Sequence, residues 1–456
     1  MGMRSLAVVA AALLAGTMLA GSAGAETLQD ALVSAYQTNP SLAAQRAALR
    51  ALDENVPQAL AGWRPSVAFT GEAGKNPQTR NLLPNQTLTP TNLDLSITQP
   101  IYSPQTGPQV RSAELVVEAG RSQLASAEQQ IMLQTVTAYM DVVQNEALVR
   151  LNQNNQEVLR RELEATEDQF HVGEVTQTDV SQAESRLAGA TADLIEAQGN
   201  LTSSRASYQR VVGTAPGTLD LRPPMPKLPG SEADAQDIAE VNNPDLAAAR
   251  DLEKSSQYDV SSSMAALYPS VALIGDINRN RDQTDVGLEI SGESILARVI
   301  IPLYQSGSVY SQIRQRKETE SQRELLINDT ERQVQLAVAQ AWEALETARA
   351  AIVSNKKQIS STAIALEGVR QEQKVGSRTV LDVLNAEQEA LQAKASLVSS
   401  QRDEYVAAYT VQQAIGALTA QGLHLPVTYY DPNVHYAHVR NKWFGTSNGD
   451  SSDNDK

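Results

Sequence analysis

Two aspartates occupy matching positions in the sequence, each six residues after the glycine of a Val-Gly pair. Asp179 follows Val172-Gly173, and Asp382 follows Val375-Gly376. A lone glycine at such a junction predicts a left-handed helix end followed at once by a returning helix. An acid in the first turn of that helix is favoured by the helix dipole. The residues best placed for electrostatic chemistry are therefore carboxylates at the tips of two helical hairpins.

The second tip is the clearer one. Gly376 separates two long segments, 308–367 and 377–415, that contain neither Gly nor Pro. Either Ser377 or Thr379 could cap the returning helix with its hydroxyl.

The sequence lacks the residue patterns that are typical of a catalytic centre. It has no cysteine, no phosphate-binding glycine loop and no Ser, His and Asp set suited to nucleophilic catalysis. His435 and His438 are spaced for one helix face, but they lie in a tail that resembles a loop, and structural zinc takes four ligands. We therefore expect no enzyme, no metal site and no cofactor.

The N-terminus predicts an exported protein. A short basic start leads into an apolar run at 6–20 and then Ala23-Gly24-Ala25, the pattern of a signal peptide at 1–25. The run is too short for a membrane anchor. A net charge of −16 argues against nucleic-acid binding. No later stretch resembles a transmembrane helix, so we expect any membrane span to consist of strands.

The remaining sequence contains two copies of one pattern, offset by roughly 203 residues. The matching landmarks include Asn39-Pro40 with Asn243-Pro244, Pro65-Ser66-Val67-Ala68 with Pro269-Ser270-Val271-Ala272, Pro100-Ile101-Tyr102 with Pro302-Leu303-Tyr304, and Gly173 with Gly376. We predict a first repeat at 26–213, a linker at 214–232, a second repeat at 233–416, and a C-terminal segment at 417–456 whose end is disordered.

Each repeat has the same predicted order of elements. A helix at about 27–60 or 233–265, with a break near its Asn-Pro, precedes a β-hairpin at 66–101 or 270–301. Polar loops at 74–91 and 278–292 are predicted to join the strands. The strands alternate in polarity, as in Leu93-Asp94-Leu95-Ser96-Ile97-Thr98. A long helical hairpin completes the repeat.

Two interpretations of the strands remain open. They could form hairpins of a small soluble sheet, or they could belong to a membrane β-barrel with aromatic residues at its interface. The aromatic residues at the strand ends are Trp63, Tyr102, Tyr268 and Tyr304. Four strands cannot close a barrel and open edges are not viable in lipid, so a barrel requires an oligomer. Three copies would supply twelve strands, an ordinary barrel size.

Sevenfold spacing of apolar residues predicts coiled-coil packing of the long helices. The spaced residues are Val338, Leu345, Ile352, Ile359 and Leu366 on the outgoing helix of copy two, Leu384, Leu391, Val398 and Tyr405 on its return, and Leu187, Leu194, Leu201 and Tyr208 in copy one.

Taken together, the sequence resembles the TolC family of outer-membrane channels, which serve efflux pumps and type I secretion systems. The resemblance covers about 26–425. Its most specific segments are 375–385, 95–102, 301–307 and 135–139. The tail, with Tyr430-Asp431-Pro432, looks like the alphaproteobacterial branch. The resemblance implies a mainly α fold with a membrane β part: a homotrimer with a twelve-stranded barrel and a periplasmic tunnel of coiled-coil hairpins.

The resemblance also implies roles for the tip residues. Asp179 and Arg378 would belong to a polar network that closes the periplasmic entrance, with Gln373 where the family usually has Tyr. Asp382 would form a ring that selects cations, and Asn385 stands at a second ring position that is usually acidic. Both the network and the ring are therefore expected to be weaker here.

The same resemblance implies partners. Val172, Gly173, Val375 and Gly376 would meet a periplasmic adaptor, which links the channel to an inner-membrane transporter of the ABC or RND type. Outer-membrane lipid would surround the strands. The alternative is a periplasmic coiled-coil scaffold, or the adaptor itself, without a channel.

Overall fold

A computed structural model of the chain describes residues 25–81 and 84–448. The predicted signal peptide, apart from Ala25, and residues 449–456 of the predicted disordered tail lie outside the described residues. Within the described chain, far more residues lie in helices than in strands. The expected fold, mainly α with a smaller β part, is confirmed.

The elements follow the same order in both halves of the described chain. The helices are α1 (Leu28–Thr38), α2 (Pro40–Asp53), α3 (Asn55–Leu60), α4 (Thr106–His171), α5 (Gln177–Val212), α6 (Glu232–Asn242), α7 (Pro244–Ala265), α8 (Ser308–Lys374), α9 (Val380–Ala414) and α10 (Pro432–Val439). The strands are β1 (Ser66–Ala73), β2 (Asn76–Gln78), β3 (Gln86–Leu88), β4 (Thr91–Tyr102), β5 (Ser270–Arg281) and β6 (Glu289–Ile300).

The predicted breaks at the two Asn-Pro pairs are confirmed. Asn39 separates α1 from α2, and its side-chain oxygen accepts hydrogen bonds from the N–H groups of Ser41 at 2.9 Å and Leu42 at 3.3 Å. Asn243 caps α7 in the same way. Proline at the first helical position lacks an N–H, so the asparagine cap and the proline together begin a new helix.

The strands form an antiparallel sheet in the order β1-β4-β5-β6. The register aligns Val67 with Ile97, Ile97 with Gly275, and Gly275 with Ile295, so these residues share one face. That face is mainly apolar and exposed in the single chain: it carries Val67, Phe69, Leu93, Ile97, Leu273, Ile277, Ile295 and Val299. The opposite face holds more polar residues, including Thr70, Asp94, Ser96 and Asp276.

The predicted extent of the loops was wrong. In copy two the strands continue through Arg281 and resume at Glu289, so only 282–288 connects them. In copy one a short antiparallel ribbon of β2 and β3 occupies part of the expected loop. Polar residues such as Asn278 and Asn280 pair through their backbones, and backbone pairing does not require apolar side chains.

The described chain divides into two compact units by its internal contacts. Unit 1 contains the described residues of Met1–Thr38, Gln134–Pro226 and Thr347–Val406, and unit 2 those of Asn39–Leu133, Lys227–Glu346 and Ala407–Lys456. In unit 2, Val338 and Leu345 of the predicted heptad are fully buried against Val411. In unit 1, Leu384 is fully buried as well. No helix in the described residues is both long and apolar enough to cross a membrane.

The tail differs from the expected loop. His435 and His438 lie on helix α10, and the His435 Nδ1 lies 2.8 Å from Oδ2 of the buried Asp53 in unit 2. Burial raises the pKa of Asp53, while its contact with His435 acts in the opposite direction. The histidine therefore belongs to a packing contact of the tail.

Candidate functional site

Both tip glycines adopt the left-handed conformation that the sequence predicts. Their φ angles are +81° at Gly173 and +76° at Gly376. At the first tip the Gly173 N–H donates to the Phe170 carbonyl at 3.0 Å, and the Glu174 N–H donates to the Gln169 carbonyl at 2.9 Å. This pair of bonds is the Schellman motif, which satisfies the last carbonyls of a helix.

The second tip repeats the motif. The Gly376 N–H donates to the backbone carbonyl of Gln373, and the Ser377 N–H donates to the carbonyl of Glu372, both at 3.0 Å. The Ser377 hydroxyl also donates to the Glu372 carbonyl at 2.9 Å. Ser377 thus completes the end of α8, and the cap of α9 is left to Thr379.

Each returning helix begins with a threonine and aspartate that bond to each other. At the first tip, the Thr176 N–H donates to Asp179 Oδ2 at 2.9 Å, and the Asp179 N–H donates back to the Thr176 hydroxyl at 3.4 Å. Thr379 and Asp382 form the same pair at the second tip. This reciprocal capping box satisfies N–H groups that a helix start leaves unpaired.

The capping bonds also keep both aspartates ionised. Hydrogen bonds from the Thr176 hydroxyl and N–H lower the pKa of Asp179. The Thr379 N–H and hydroxyl lower the pKa of Asp382, with a smaller contribution from the positive charge of Arg378. Each carboxylate therefore has a structural role, and its charge remains available to attract cations.

Arg378 binds within its own tip in the single chain. Its Nε lies 2.9 Å from Glu372 Oε2 on α8, and both side chains are about half exposed. Among the described residues, Arg378 and Asp179 form no ion pair with each other. Gln373, where the resemblance expects a tyrosine, is half-buried at the end of α8.

Asn385 has a partner that the sequence did not reveal. The Arg186 guanidinium on α5 donates to Asn385 Oδ1 on α9 at 2.7 Å. The bond joins hairpin one, formed by α4 and α5, to hairpin two, formed by α8 and α9. The position in copy two that corresponds to Arg186 is Glu389, so the internal repeat gave no signal for this contact.

A second polar group belongs to the same two hairpins. Arg370 of α8 forms an ion pair with Glu387 of α9. The pKa of Glu162 on α4 is raised, chiefly because the carboxyl is buried; the charge of Arg370 acts to lower this pKa and that of Glu387 to raise it. The polar contacts therefore involve all four helices of the two hairpins.

Apolar residues pack beside these polar groups. Leu159 and Ala190 of hairpin one contact Val380 and Leu384 of hairpin two, and all four side chains are at least 95% buried. This small core positions the starts of α5 and α9, which carry Asp179 and Asp382. It is part of unit 1, as are both tips.

The outermost residues of the tips are apolar and unshielded. Val172 is 73% exposed and Val375 is 79% exposed. A Cβ added at Gly173 or Gly376 would meet no described atom within 4 Å. The tips thus present two matching surfaces of a valine and a glycine. The charged groups around them can attract ions and hold helices together.

Comparison with known proteins identifies the family. A family model described as outer membrane efflux protein matches residues 31–214 and 236–417. The outer membrane efflux protein BepC of Brucella suis biovar 1 is 36% identical over 444 residues, which cover 96% of each chain. The outer membrane protein TolC of Vibrio cholerae is 24% identical over 412 residues, covering 88% of this chain and 93% of TolC.

A solved structure shows the same fold. The Campylobacter jejuni CmeC outer membrane channel matches with a TM-score of 0.75 at 14% identity, covering 91% of this chain and 89% of CmeC. These relatives are named as outer membrane or channel proteins, none as an enzyme. Since the family model matches both repeats and the identity to BepC extends over nearly the whole chain, this chain belongs to the outer membrane efflux protein family, which is the TolC family.

Proposed function

We propose that this chain is an outer-membrane exit channel of a tripartite efflux or type I secretion system. Three copies form the channel, with the sheet in the outer membrane and the helical hairpins in the periplasm. A periplasmic adaptor contacts the tips and connects them to an inner-membrane transporter of the ABC or RND type. The protein conducts its substrate and catalyses no reaction. The full-length similarity to BepC, whose name is that of an efflux protein, supports this function.

The exposed apolar face of the sheet is the observation that carries the proposal. Phe69 is 69% exposed and Ile295 is 79% exposed, on the same face of the four strands. Apolar surface of this extent is costly in water and favourable in lipid. A periplasmic scaffold would have no use for such a face, so this feature favours the channel over that alternative.

The order of the strands supports an assembly of several copies. In the single sheet, β1 and β6 occupy the two edges. Unpaired backbone groups at an edge are not tolerated in the lipid core. Pairing of β6 from one copy with β1 of the next satisfies both edges, and three copies make a barrel of twelve strands, a common size.

Two neighbouring substitutions in β1 test the membrane role of the sheet. Phe69→Arg places a charge on the apolar face, whereas Ala68→Arg places the same charge on the opposite face. A lipid-facing arginine costs about 2–4 kcal/mol near the bilayer midplane. We therefore expect Phe69→Arg to insert poorly into lipid vesicles and Ala68→Arg to insert like the unmodified protein.

Mass measurement in detergent and planar-bilayer recording complete the test. The unmodified protein is expected to give particles of three chains and discrete conductance steps. A stable monomer that inserts in membranes, or a folded protein without conductance, contradicts the proposed function. Equal insertion of the two arginine variants contradicts the proposal that the apolar face of the sheet contacts lipid.

A further inference from the structure

A cleft in unit 1 is bordered by α4, α8, α9 and the segment that follows α5. Its volume is about 300 Å³, at the lower end of the range for small-molecule sites, roughly 300–1,000 Å³. The charged side chains that line it, among the described residues, are those of Arg150, Arg222, Lys356, Arg402 and Glu404. This local excess of positive charge contrasts with the net charge of −16 of the whole chain. We call this feature the basic cleft.

Two of the charged groups in the basic cleft are already paired within the chain. The Arg402 guanidinium donates to Asp141 Oδ1 at 2.9 Å and to Asp403 Oδ1 at 3.0 Å. Glu404 Oε1 lies 3.5 Å from Nε of Arg349. The charges of Arg402 and Glu404 are therefore largely balanced by their neighbours.

The other three cations of the basic cleft are exposed and unpaired. The side chains of Arg150, Arg222 and Lys356 form no ion pair and no hydrogen bond with any residue that the structure describes. Like charges that line one cleft repel each other, and guanidinium and ammonium groups offer several N–H donors. An anion in the cleft therefore reduces this repulsion and accepts charge-assisted hydrogen bonds.

The rest of the lining is largely apolar. Met140, Val143 and Ile352 are at least 92% buried and form the floor of the basic cleft. Leu221, which is 49% exposed, and Val398 complete the apolar surface. A ligand that fills the cleft thus gains from an apolar body as well as from a negative charge.

Tyr405 adds a neutral hydroxyl group to the basic cleft. The side chain is half-buried, and its hydroxyl forms no hydrogen bond with the described residues. Burial chiefly raises the pKa of Tyr405, and the charges of Glu404 and Asp220 act in the same direction. The charge of Arg222 opposes them, so its guanidinium lies close enough to the hydroxyl to act on the same ligand. Tyr405 therefore stays protonated at neutral pH and can donate a hydrogen bond to an anion.

We propose that the basic cleft binds a small amphipathic organic anion, whose carboxylate, phosphate or sulfonate group contacts the three unpaired cations and whose apolar body lies on the buried floor. The site belongs to unit 1 of a single chain, so the inference goes beyond the proposed channel function and does not depend on it. A neutral molecule of the same shape lacks the charge that the cations attract and should bind more weakly.

Titration calorimetry on the complete protein in a non-ionic detergent tests the basic cleft. The probe is naphthalenesulfonate, which carries a negative charge on an apolar body, and naphthol is its neutral counterpart. We expect naphthalenesulfonate to bind saturably, with one molecule per chain, and to bind less tightly as salt is added, because salt screens exposed charges. Partition into the detergent alone does not saturate at this ratio.

Two adjacent lysines provide a matched pair of variants. Lys356 lines the basic cleft, whereas Lys357 is also exposed on α8 but does not line it. Lys356→Gln and Lys357→Gln change the net charge equally, so their difference isolates the position of the charge. We expect Lys356→Gln and Arg150→Gln each to raise the dissociation constant of naphthalenesulfonate about twofold to fivefold, as for exposed ion pairs. Lys357→Gln should bind like the unmodified protein.

Three results would overturn the proposed anion site. They are equal affinity of the two lysine variants, equal affinity of the unmodified protein for naphthalenesulfonate and naphthol, and no saturable binding by unmodified protein that thermal unfolding shows to be folded. The channel function is judged separately by conductance in planar bilayers. A protein that conducts without binding the probe counts against the basic cleft, and one that binds the probe without conducting counts against the channel.

Discussion

Tryptophan at both tip glycines should abolish export without disturbing the channel. The change is Gly173→Trp together with Gly376→Trp, and the control is the same pair changed to alanine. Both pairs add a Cβ at positive φ, so both bear the same backbone strain. Their difference is the size of the side chain, which isolates contact with a partner from damage to the tip.

The magnitudes follow from the surroundings of each glycine. Loss of glycine at a left-handed helix end costs roughly 1 kcal/mol at each tip. No described atom lies within 4 Å of the new Cβ at either tip, whereas at Gly416 the Cβ would lie 2.3 Å from the Asn242 carbonyl oxygen. A new Cβ at either tip therefore meets no steric conflict among the described residues, unlike a Cβ at Gly416.

The two tryptophans should greatly weaken the binding of a partner to the tips. Overpacking a fitted contact costs about 1–3 kcal/mol for each side chain, and each 1.4 kcal/mol reduces affinity about tenfold. We expect the alanine pair to retain most of the export and the tryptophan pair to lose it. Accumulation of a dye or antibiotic in cells that depend on this channel measures the loss.

Two controls distinguish loss of partner binding from damage to the channel itself. The amount of channel in the outer membrane, and its conductance in bilayers, should be equal for the two pairs because no partner is needed for either. Limited proteolysis of the tips should also give equal rates. Export by the tryptophan pair at the level of the alanine pair would show that the tips are not the partner's binding surface.

The remaining predictions concern charge at the same end of the helices. Asp382→Asn should reduce the channel's preference for cations in bilayers, and it should also weaken the block of the channel by multivalent cations. Asp179→Asn loses the equivalent capping charge, but it should alter helix stability more than ion selectivity. Equal ion selectivity in the two variants contradicts a ring at Asp382. The raised pKa of Glu162 means that the folded chain binds a proton at this carboxyl more readily than the unfolded chain. The free energy of unfolding should therefore increase as pH falls through that raised pKa towards the usual 4.5, and Glu162→Gln should remove this contribution; an unchanged pH dependence of unfolding in Glu162→Gln contradicts it.

The sequence predicts those parts of this fold that depend on local backbone chemistry. Gly173 and Gly376 mark the tips because a left-handed residue between two helices is most easily a glycine. The asparagines before Pro40 and Pro244 mark helix starts because they cap N–H groups while proline lacks one. Such signals need only a few neighbouring residues, and the structure confirms them.

Features that depend on distant contacts were missed or placed wrongly. The polar ends of β5 and β6 look like loop in sequence, but backbone pairing holds them as strands. Helix α10 was expected as a loop, although Asp431 caps it and proline begins it. Arg186 resembles any other solvated charge on a helix, because its partner lies on another hairpin.

The contact between the two hairpins depends more on apolar packing than on the hydrogen bond from Arg186 to Asn385. A hydrogen bond at a site that water reaches contributes about 1 kcal/mol at most, because water competes for the donor and the acceptor. Leu159, Val380 and Leu384 are at least 95% buried in the small core between the hairpins, and full burial of one such side chain contributes about 1.5–3 kcal/mol. Asn385→Ala should therefore lower the free energy of unfolding far less than Leu384→Ala, and equal losses in thermal unfolding would contradict this order.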